Sequence, residues 1–268
     1  MNEPIEADEH GTNFDRLADR FSSNIYGTVK GQVRLAILRE DLDEQRVALN
    51  SRGQLRVLDA GCGPALLSSE WASQGHEVTL IEMSQRMLAR ARQNFAEAGI
   101  ASDQYHAYHG AVQQVLPTLE GRYDVVLLHA VLEWTPDPQA LLKHVSRVVA
   151  PGGFLSVTFY NLDGFLYRRL LQGNFRHLDA PRPRPHLGDL TPIYPLRGHE
   201  VEAWLADAGM MVTHKRGLRC FVDYMHPKAA KVTDAQILEQ ERRFSRIEPY
   251  RSVSRYLHIV ARPNPSEV

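Results

Sequence analysis

The stretch VLDAGCGPALL, from Val57 to Leu67, contains a short apolar run, a turn with two glycines and the start of a helical pattern. Asp59, Gly61 and Gly63 place D-x-G-x-G at the end of a predicted strand, residues 56–60. Glycines at a strand-to-helix turn let the backbone approach a ligand closely. The turn alone leaves four interpretations open: a phosphate site, a dinucleotide site, a sulfonium cofactor site, or a tight turn without a ligand.

Two phosphate-binding motifs do not match this turn. A dinucleotide fingerprint, G-x-G-x-x-G, requires a third glycine where this chain has Leu66, and a P-loop requires a G-K-[ST] sequence that is not present. Glu82 ends the next predicted strand, at the position where an acidic residue binds the ribose hydroxyls of a nucleotide-like cofactor. An NAD-dependent enzyme is the second interpretation of the site, and an ordinary surface glutamate is the alternative for Glu82.

Strands and helices alternate on both sides of the turn. The predicted strands span 56–60, 76–82, 104–110, 123–128 and 154–160. Four helices are predicted between them. Two span 64–73, with Pro64 in the first turn, and 112–117; the other two begin after the N-cap residues Ser84 and Asp137, and the helix after Ser84 ends at Gly99. This alternation predicts an α/β fold, a doubly wound, mostly parallel sheet with ligands at the carboxyl ends of its strands.

The flanking segments complete the predicted domain organisation. Residues 1–12 are expected to be a disordered tail and 13–268 a single domain. Within it, 13–50 form an N-terminal helical cap, with helices at 14–21 and 29–49, and 161–198 form a basic insertion at the ligand-binding edge. The C-terminal part is predicted to contain helix 200–209, strand 210–221, charged helix 233–246 and a final antiparallel strand, 254–263.

Composition limits the class of protein. The 268 residues are 43% hydrophobic, no apolar run approaches the ~20 residues needed to span a bilayer, and the N-terminus is acidic and polar. Cys62 and Cys220 are the two cysteines and form no C-x-x-C motif. We therefore expect a cytoplasmic protein with no membrane partner and no metal site. Residues 151–268 carry 17 Lys and Arg against 12 Asp and Glu, so this half can bind a polyanion locally.

The motifs together resemble those of known methyltransferases. D-x-G-x-G, Glu82 and PGGFLSV (151–157) resemble class I S-adenosylmethionine-dependent methyltransferases, which have a Rossmann-like fold. Four further blocks resemble the bacterial tRNA 5-carboxymethoxyuridine methyltransferase family: FSSNIYGTVKGQVRLAIL (21–38), LLHAVLEWTPDP (127–138), FYNLDGFLYRRLLQGNF (159–175) and RRFSRIEPYRSVSRYLHIVARP (242–263). This resemblance implies S-adenosyl-L-methionine as cofactor and the anticodon stem-loop of tRNA as partner, with no obligate protein partner evident. The implied reaction is methylation of the carboxylate of 5-carboxymethoxyuridine at the wobble position.

The resemblance and the motif also imply a set of cofactor-binding positions. These are Arg34, Asp59, Gly61, Cys62, Gly63, Glu82, Val112, Gln113 and His129. A carboxylate acceptor is already ionised at neutral pH, so we predict no general base, and catalysis by positioning only. His129 is expected to contact the cofactor rather than to act as a base.

Substrate-binding residues are predicted by type and position. Arginine pairs with both oxygens of a carboxylate, and aromatic rings stack on a base that is turned out of a loop. The candidates are Tyr26, Trp134, Tyr160, Arg176, Arg182, Arg184, Tyr250 and Arg255, with Trp134 and Tyr160 preferred for stacking. Exposed solubilising arginines and core or rim aromatics are the alternatives. The arginines of 161–198 are also candidates for contacts with tRNA phosphates.

Two other functions stay open on the sequence. One is a small-molecule carboxyl or hydroxyl methyltransferase on the same fold. The other is a non-catalytic protein that binds a cofactor or RNA, which the intact Gly61, Gly63 and Glu82 argue against.

Overall fold

The computed structural model describes residues 7–8, 11–12, 15, 28–49, 52–175, 178, 192, 194–226 and 231–265. Its strands are β1 (Ala7–Asp8), β2 (Gly11–Thr12), β3 (Arg56–Ala60), β4 (Glu77–Glu82), β5 (Tyr105–His109), β6 (Tyr123–His129), β7 (Val149–Tyr160), β8 (Met210–Leu218) and β9 (Tyr256–Pro263). Its α-helices are α1 (Val29–Val47), α2 (Leu66–Ser73), α3 (Gln85–Glu97), α4 (Val112–Val115), α5 (Pro138–Ser146), α6 (Leu162–Leu171), α7 (Gly198–Asp207) and α8 (Asp234–Phe244).

Seven of the strands form one sheet in the order β5-β4-β3-β6-β7-β9-β8. The first five strands in this order pair in parallel, whereas β9 is antiparallel to both β7 and β8. Apolar side chains cover both faces of the sheet in two separate clusters. The predicted doubly wound sheet with a final antiparallel strand is therefore confirmed.

Capping residues set the start of two helices where the sequence predicts them. The Ser84 side chain accepts a hydrogen bond from Met87 N, and that of Asp137 accepts one from Ala140 N, with Pro138 in the first turn of α5. The helix after the glycine turn differs from the prediction, since it begins at Leu66 rather than Pro64. Ala65, in the left-handed region at φ 54°, still belongs to the turn, and its N–H bonds to Cys62 O at 2.9 Å.

Two predicted strand boundaries also differ. β7 begins at Val149, five residues before the predicted start, because Val149 already pairs with Tyr123 before the register shifts. Gly153 lies inside this strand, where a Cβ atom would come 2.6 Å from Asp124 O. β8 ends at Leu218 instead of 221, since Arg219 adopts a positive φ of 62° and turns the chain.

The N-terminal prediction differs at four residues. β1 and β2 pair as a short antiparallel ladder within the expected disordered tail, and Gly11 packs so closely on Trp134 that a Cβ atom would lie 2.9 Å from its carbonyl oxygen. Apart from Asp15, the predicted helix 14–21 lies outside the described residues, as does most of the Pro-rich loop 178–198. Within the described ranges, no helix combines the length and the hydrophobicity needed to cross a bilayer.

Candidate functional site

A pocket of about 1090 Å³, part of which is open to solvent, lies at the carboxyl ends of β3, β4 and β6. All nine positions predicted to bind the cofactor line it: Arg34, Asp59, Gly61, Cys62, Gly63, Glu82, Val112, Gln113 and His129. The sequence did not single out the apolar part of the wall, which includes Leu35, Leu38, Leu66, Leu67, Met83, Met87, Ala111 and Val131. The structure therefore brings the predicted positions together, and it adds an apolar surface of the kind that buries a nucleoside.

The glycine turn forms the base of the pocket. The N–H groups of Gly61 and Cys62 both donate to Ile81 O, at 2.8 and 3.0 Å, and fix the turn on β4. Gly61 has φ 77°, and a Cβ atom there would lie 2.5 Å from Val131 Cγ2. Gly63 has φ 53° with open space beside it. Backbone conformation therefore favours glycine at both positions, and the turn leaves room for a ligand.

Two buried carboxylates stand on the strand ends next to this turn. Glu82 accepts hydrogen bonds from Gly63 N and Ser84 N, both at 2.8 Å, and Asp59 accepts one from Ser68 Oγ at 2.6 Å. Burial raises the pKa of Glu82. Burial, opposed by the Ser68 hydrogen bond and reinforced by Glu82, raises the pKa of Asp59 to about 7. This wall favours a ligand that brings hydroxyl donors and positive charge.

Arg34 and His129 line the same pocket from α1 and the end of β6. Arg34 is buried, donates to Thr158 Oγ1 at 3.5 Å, and places its guanidinium 4.8 Å from the centroid of the Tyr256 ring. Burial, with His258 and Arg34 nearby, holds the pKa of His129 well below its usual range. His129 is therefore neutral at physiological pH, while Arg34 supplies a fixed positive charge.

A chain of hydrogen bonds runs from His129 into the protein interior. His129 Nε2 lies 2.8 Å from Ser156 Oγ, which lies 2.8 Å from His258 Nε2, and His258 Nδ1 lies 2.7 Å from Asp41 Oδ2. Burial alone would raise the pKa of Asp41, but its histidine and Arg216 partners lower it well below the usual range. Asp41 and His258 are far apart in sequence, so no local pattern predicts this chain.

One group of possible metal ligands occurs in the described part of the chain. Ligand atoms of Asp41, His214 and His258 lie within 4.8 Å of one another. Arg216 Nη1 lies 2.8 Å from Asp41 Oδ1, and Arg246 Nη2 lies 3.5 Å from the same atom. Two guanidinium groups at one carboxylate oppose the binding of a divalent cation, so we describe the group as an ion-pair network. The expected absence of a metal stays a prediction.

The predicted substrate residues do not gather at the pocket as the predicted cofactor positions do. Trp134 lines the pocket, but Tyr160 does not and is only 1% exposed. The Arg255 guanidinium lies 4.5 Å from the centroid of the Tyr160 ring and Tyr256 packs against it edge-on, so the expected stacking of a base on Tyr160 is wrong. Tyr250 packs on Phe244, away from the pocket lining. Tyr26, Arg176, Arg182 and Arg184 lie outside the described residues.

Sequence reasoning also missed Glu133, next to Trp134. Its side chain is fully buried, and both carboxylate oxygens have no hydrogen-bond partner in the described structure. Burial raises the pKa of Glu133 to about 7. An acidic residue inside the apolar block LLHAVLEW is the signal that would have found it, because a buried carboxylate without a partner is rare.

Two comparisons decide the family of this chain. Residues 58–157 match a family model described as a methyltransferase domain. The tRNA 5-carboxymethoxyuridine methyltransferase of Escherichia coli (strain K12) is 42% identical over 256 residues, which cover 95% of this chain and 97% of the relative. The chain belongs to the tRNA 5-carboxymethoxyuridine methyltransferase family. The resemblance inferred from its sequence blocks is confirmed.

More distant proteins agree with a methyltransferase assignment. The ubiquinone biosynthesis O-methyltransferase of Pseudomonas aeruginosa PAO1 is 31% identical over 208 residues, or 77% of this chain and 84% of the relative. The crystal structure of magnesium protoporphyrin IX methyltransferase from Synechocystis PCC 6803 with bound SAH has a TM-score of 0.60 and 18% identity, and covers 94% of this chain and 96% of that one. This member of the family therefore has the class I methyltransferase fold that its motifs predict.

Proposed function

We propose that this protein esterifies the carboxylate of 5-carboxymethoxyuridine at the wobble position of tRNA, with S-adenosylmethionine as the methyl donor. The observation that carries the proposal is that all nine predicted cofactor positions line one pocket. The chain is also 42% identical to the Escherichia coli tRNA 5-carboxymethoxyuridine methyltransferase. The cofactor and the reaction class follow from the family. The tRNA substrate and a cytoplasmic location are parts of the proposal.

The pocket residues fit S-adenosylmethionine by their chemistry. Glu82 uses each carboxylate oxygen for one backbone N–H, and further lone pairs remain for ribose hydroxyls. Asp59 and Glu82 supply negative charge for the ammonium and sulfonium groups, and Arg34 supplies a positive charge for the carboxylate end of the cofactor. Val112 and Gln113 would lie beside the adenine. The polar and apolar parts of the wall thus match the polar and apolar parts of one ligand.

The bound cofactor supplies a methyl group whose bond to positively charged sulfur breaks as the bond to a carboxylate oxygen forms, leaving a neutral thioether and a neutral ester. No protein group has to accept a proton in this step, since the acceptor is ionised at neutral pH. The protein's contribution is to bind both reactants, to hold the acceptor oxygen in line and to keep water away from it. Neutral His129 is consistent with a binding role.

The decisive experiment analyses tRNA nucleosides by mass spectrometry in cells with and without this protein. Purified protein is then incubated with S-adenosylmethionine and tRNA that carries 5-carboxymethoxyuridine. We expect a gain of one methyl group on that nucleoside, and mild alkali should return the product to the free acid, as it does for an ester. An alkali-stable methyl group would show that the acceptor is a base or a hydroxyl. Transfer only to small carboxylic acids or phenols would favour the alternative function.

A further inference from the structure

Three polar side chains near the carboxyl end of β7 have buried donor atoms without a hydrogen-bond partner. In the described structure, Arg168 Nε, Arg255 Nε and Nη1, and the Tyr160 hydroxyl are buried and make no hydrogen bond. Nearly all buried polar groups in proteins are hydrogen-bonded. Four unpartnered donor atoms on three side chains therefore set this cluster apart from the rest of the described interior.

All three side chains present donors. The Arg255 guanidinium lies 4.5 Å from the centroid of the Tyr160 ring, and the positive charges of Arg255 and Arg168 both act on the phenol. Burial, only partly opposed by these charges, raises the pKa of Tyr160, so its hydroxyl stays protonated. A ligand bound here has to supply acceptors and negative charge.

Two acidic side chains of this region, Asp223 and Asp163, already have cationic partners. Asp223 accepts hydrogen bonds from Arg219 at 2.7 and 2.5 Å and lies 3.2 Å from Lys30 Nζ. Asp163, in the first turn of α6, pairs with Arg197 at 2.5 Å. Within the described ranges, Arg168 and Arg255 therefore form no ion pair.

This cluster adjoins the cofactor pocket. Tyr160 pairs with Tyr256 on the neighbouring strand, and their ring centroids are 5.4 Å apart. Tyr256 also contacts the guanidinium groups of Arg34 and Arg219, which lie 4.8 and 5.7 Å from its ring centroid, and Arg34 lines the pocket. Tyr256 thus packs against both the cluster and a residue of the pocket lining.

Backbone contacts fix the spacing between the two arginines. Gly164 of α6 packs so closely on the segment before Arg255 that a Cβ atom would lie 2.1 Å from Ser254 O. The Tyr224 hydroxyl donates to Gly164 O at 3.1 Å and to Val253 O at 2.7 Å. Asn161 Nδ2 donates to Ser254 O at 2.9 Å. Helix α6, which carries Arg168, and the segment that carries Arg255 therefore form one rigid unit.

We propose that Arg168, Arg255 and Tyr160 bind the carboxylate of the substrate nucleoside, an assignment that rests on the proposed function. Two guanidinium groups and a phenol can donate hydrogen bonds to three of the four carboxylate lone pairs, namely both lone pairs of one oxygen and the outer lone pair of the other. The second oxygen keeps a free lone pair for the methyl group. Limited contact at the attacking oxygen is required, because a clamp on both oxygens would stabilise the ground state more than the transition state.

The test compares two tRNAs that differ only in the carboxylate. One carries 5-carboxymethoxyuridine and the other carries 5-methoxyuridine at the wobble position, and their dissociation constants are measured with S-adenosylhomocysteine present. We expect the wild-type protein to prefer the first tRNA. Arg255→Gln should reduce this preference about 10- to 100-fold, and Tyr160→Phe, which removes only the hydroxyl, by less. Arg169→Gln removes a neighbouring charge outside the cluster and should change both affinities alike.

Two results would overturn the assignment. One is a full preference for the carboxylate in both Tyr160→Phe and Arg255→Gln. The other is an equal loss of affinity for both tRNAs, which would identify Arg255 as a phosphate contact. A wild-type protein without any preference would also overturn the assignment, whereas the proposed function fails only if 5-carboxymethoxyuridine in tRNA gains no methyl group. Unchanged S-adenosylmethionine affinity and thermal unfolding midpoint establish that the variants are folded.

Discussion

His129 at the pocket wall is hydrogen-bonded to Ser156 on the adjacent strand, with 2.8 Å between Nε2 and Oγ. Ser156 in turn contacts His258, whose Nδ1 lies 2.7 Å from Asp41. Because His258 Nδ1 faces the Asp41 carboxylate, which accepts its N–H, we expect the Ser156 hydroxyl to donate to His258 Nε2. Ser156 Oγ then accepts from His129 Nε2–H, which leaves Nδ1 of His129 as an acceptor for the cofactor.

Ser156→Ala should therefore weaken S-adenosylmethionine binding by about 5- to 20-fold and also lower stability by about 1–3 kcal/mol, because it leaves a buried ring nitrogen on either side without a partner. Calorimetry measures the affinity, and ¹⁵N chemical shifts of the imidazole report the tautomer of His129. In the wild-type protein the proton should be on Nε2. A proton on Nδ1 in the wild type, or a variant with unchanged affinity and tautomer, would show that the hydrogen-bond chain only supports the core.

Cofactor affinity should depend on Glu82 and Gly63. Glu82→Ala removes an acceptor for the ribose hydroxyls, and we expect a loss of about 1.5–3 kcal/mol in binding free energy. Gly63→Val forces a β-branched residue to a φ of 53° beside the pocket and should also weaken binding. Gly99→Val is a matched control, since Gly99 has φ 78° and open space around it but lies outside the pocket lining. Unchanged calorimetric binding in both pocket variants would contradict the motif assignment.

Cofactor affinity should also rise with pH. Burial raises the pKa of Asp59 to about 7, so at pH 6 the free protein holds this carboxyl mostly protonated. A cationic ligand favours the ionised form, so binding releases a proton, and affinity should rise by up to about tenfold per pH unit below 7 and level off above it. Asp59→Asn should flatten the profile. Proton release is measured by calorimetry in buffers of different ionisation enthalpy. If the affinity of Asp59→Asn depended on pH as that of the wild type does, the pH dependence would belong to another group.

The glycine turn, the alternation of strands and helices and the helix caps were predictable because each depends on residues close together in sequence, whereas most of the cofactor positions were implied by the resemblance to a known family. Ser84 and Asp137 cap their helices through contacts only three residues away. The hydrogen-bond chain from Asp41 to His129 was not predictable, since it joins α1 to β9, β7 and β6. The covering of Tyr160 by Arg255 was missed for the same reason, because strand pairing between β7 and β9 creates it.

Binding of tRNA should depend steeply on salt in spite of the net charge of -1. Arg182 and Arg184 belong to the predicted basic insertion, and replacing both by alanine should flatten the slope of log K against log salt by up to about 1.8 if both contact phosphates. Arg90 and Arg92, exposed on α3, form a matched control pair. Filter binding over a range of salt concentrations gives the slopes. A slope equal to that of the wild type would show that these arginines do not contact tRNA phosphates.

The rate of methyl transfer should be nearly flat between pH 6 and 9 when both substrates are saturating. The acceptor carboxylate is ionised throughout this range, and no general base has to lose a proton, whereas an enzyme with a base shows a rising limb. Single-turnover measurements separate this step from binding. His129→Ala should raise the apparent Michaelis constant for the cofactor more than it lowers the rate at saturation. A sigmoidal rise that His129→Ala abolishes would identify His129 as a base.

Gly164 has a consequence for the tolerance of this protein to mutation. Its φ lies outside the left-handed region, so crowding selects glycine here, with 2.1 Å between the place of a Cβ atom and Ser254 O. The obstacle is a backbone oxygen, which has no alternative rotamer and cannot move aside as a side chain would. Every other amino acid adds the same Cβ atom at the same place. A saturation library at this codon should therefore yield one functional residue, and even alanine should separate α6 from its neighbour.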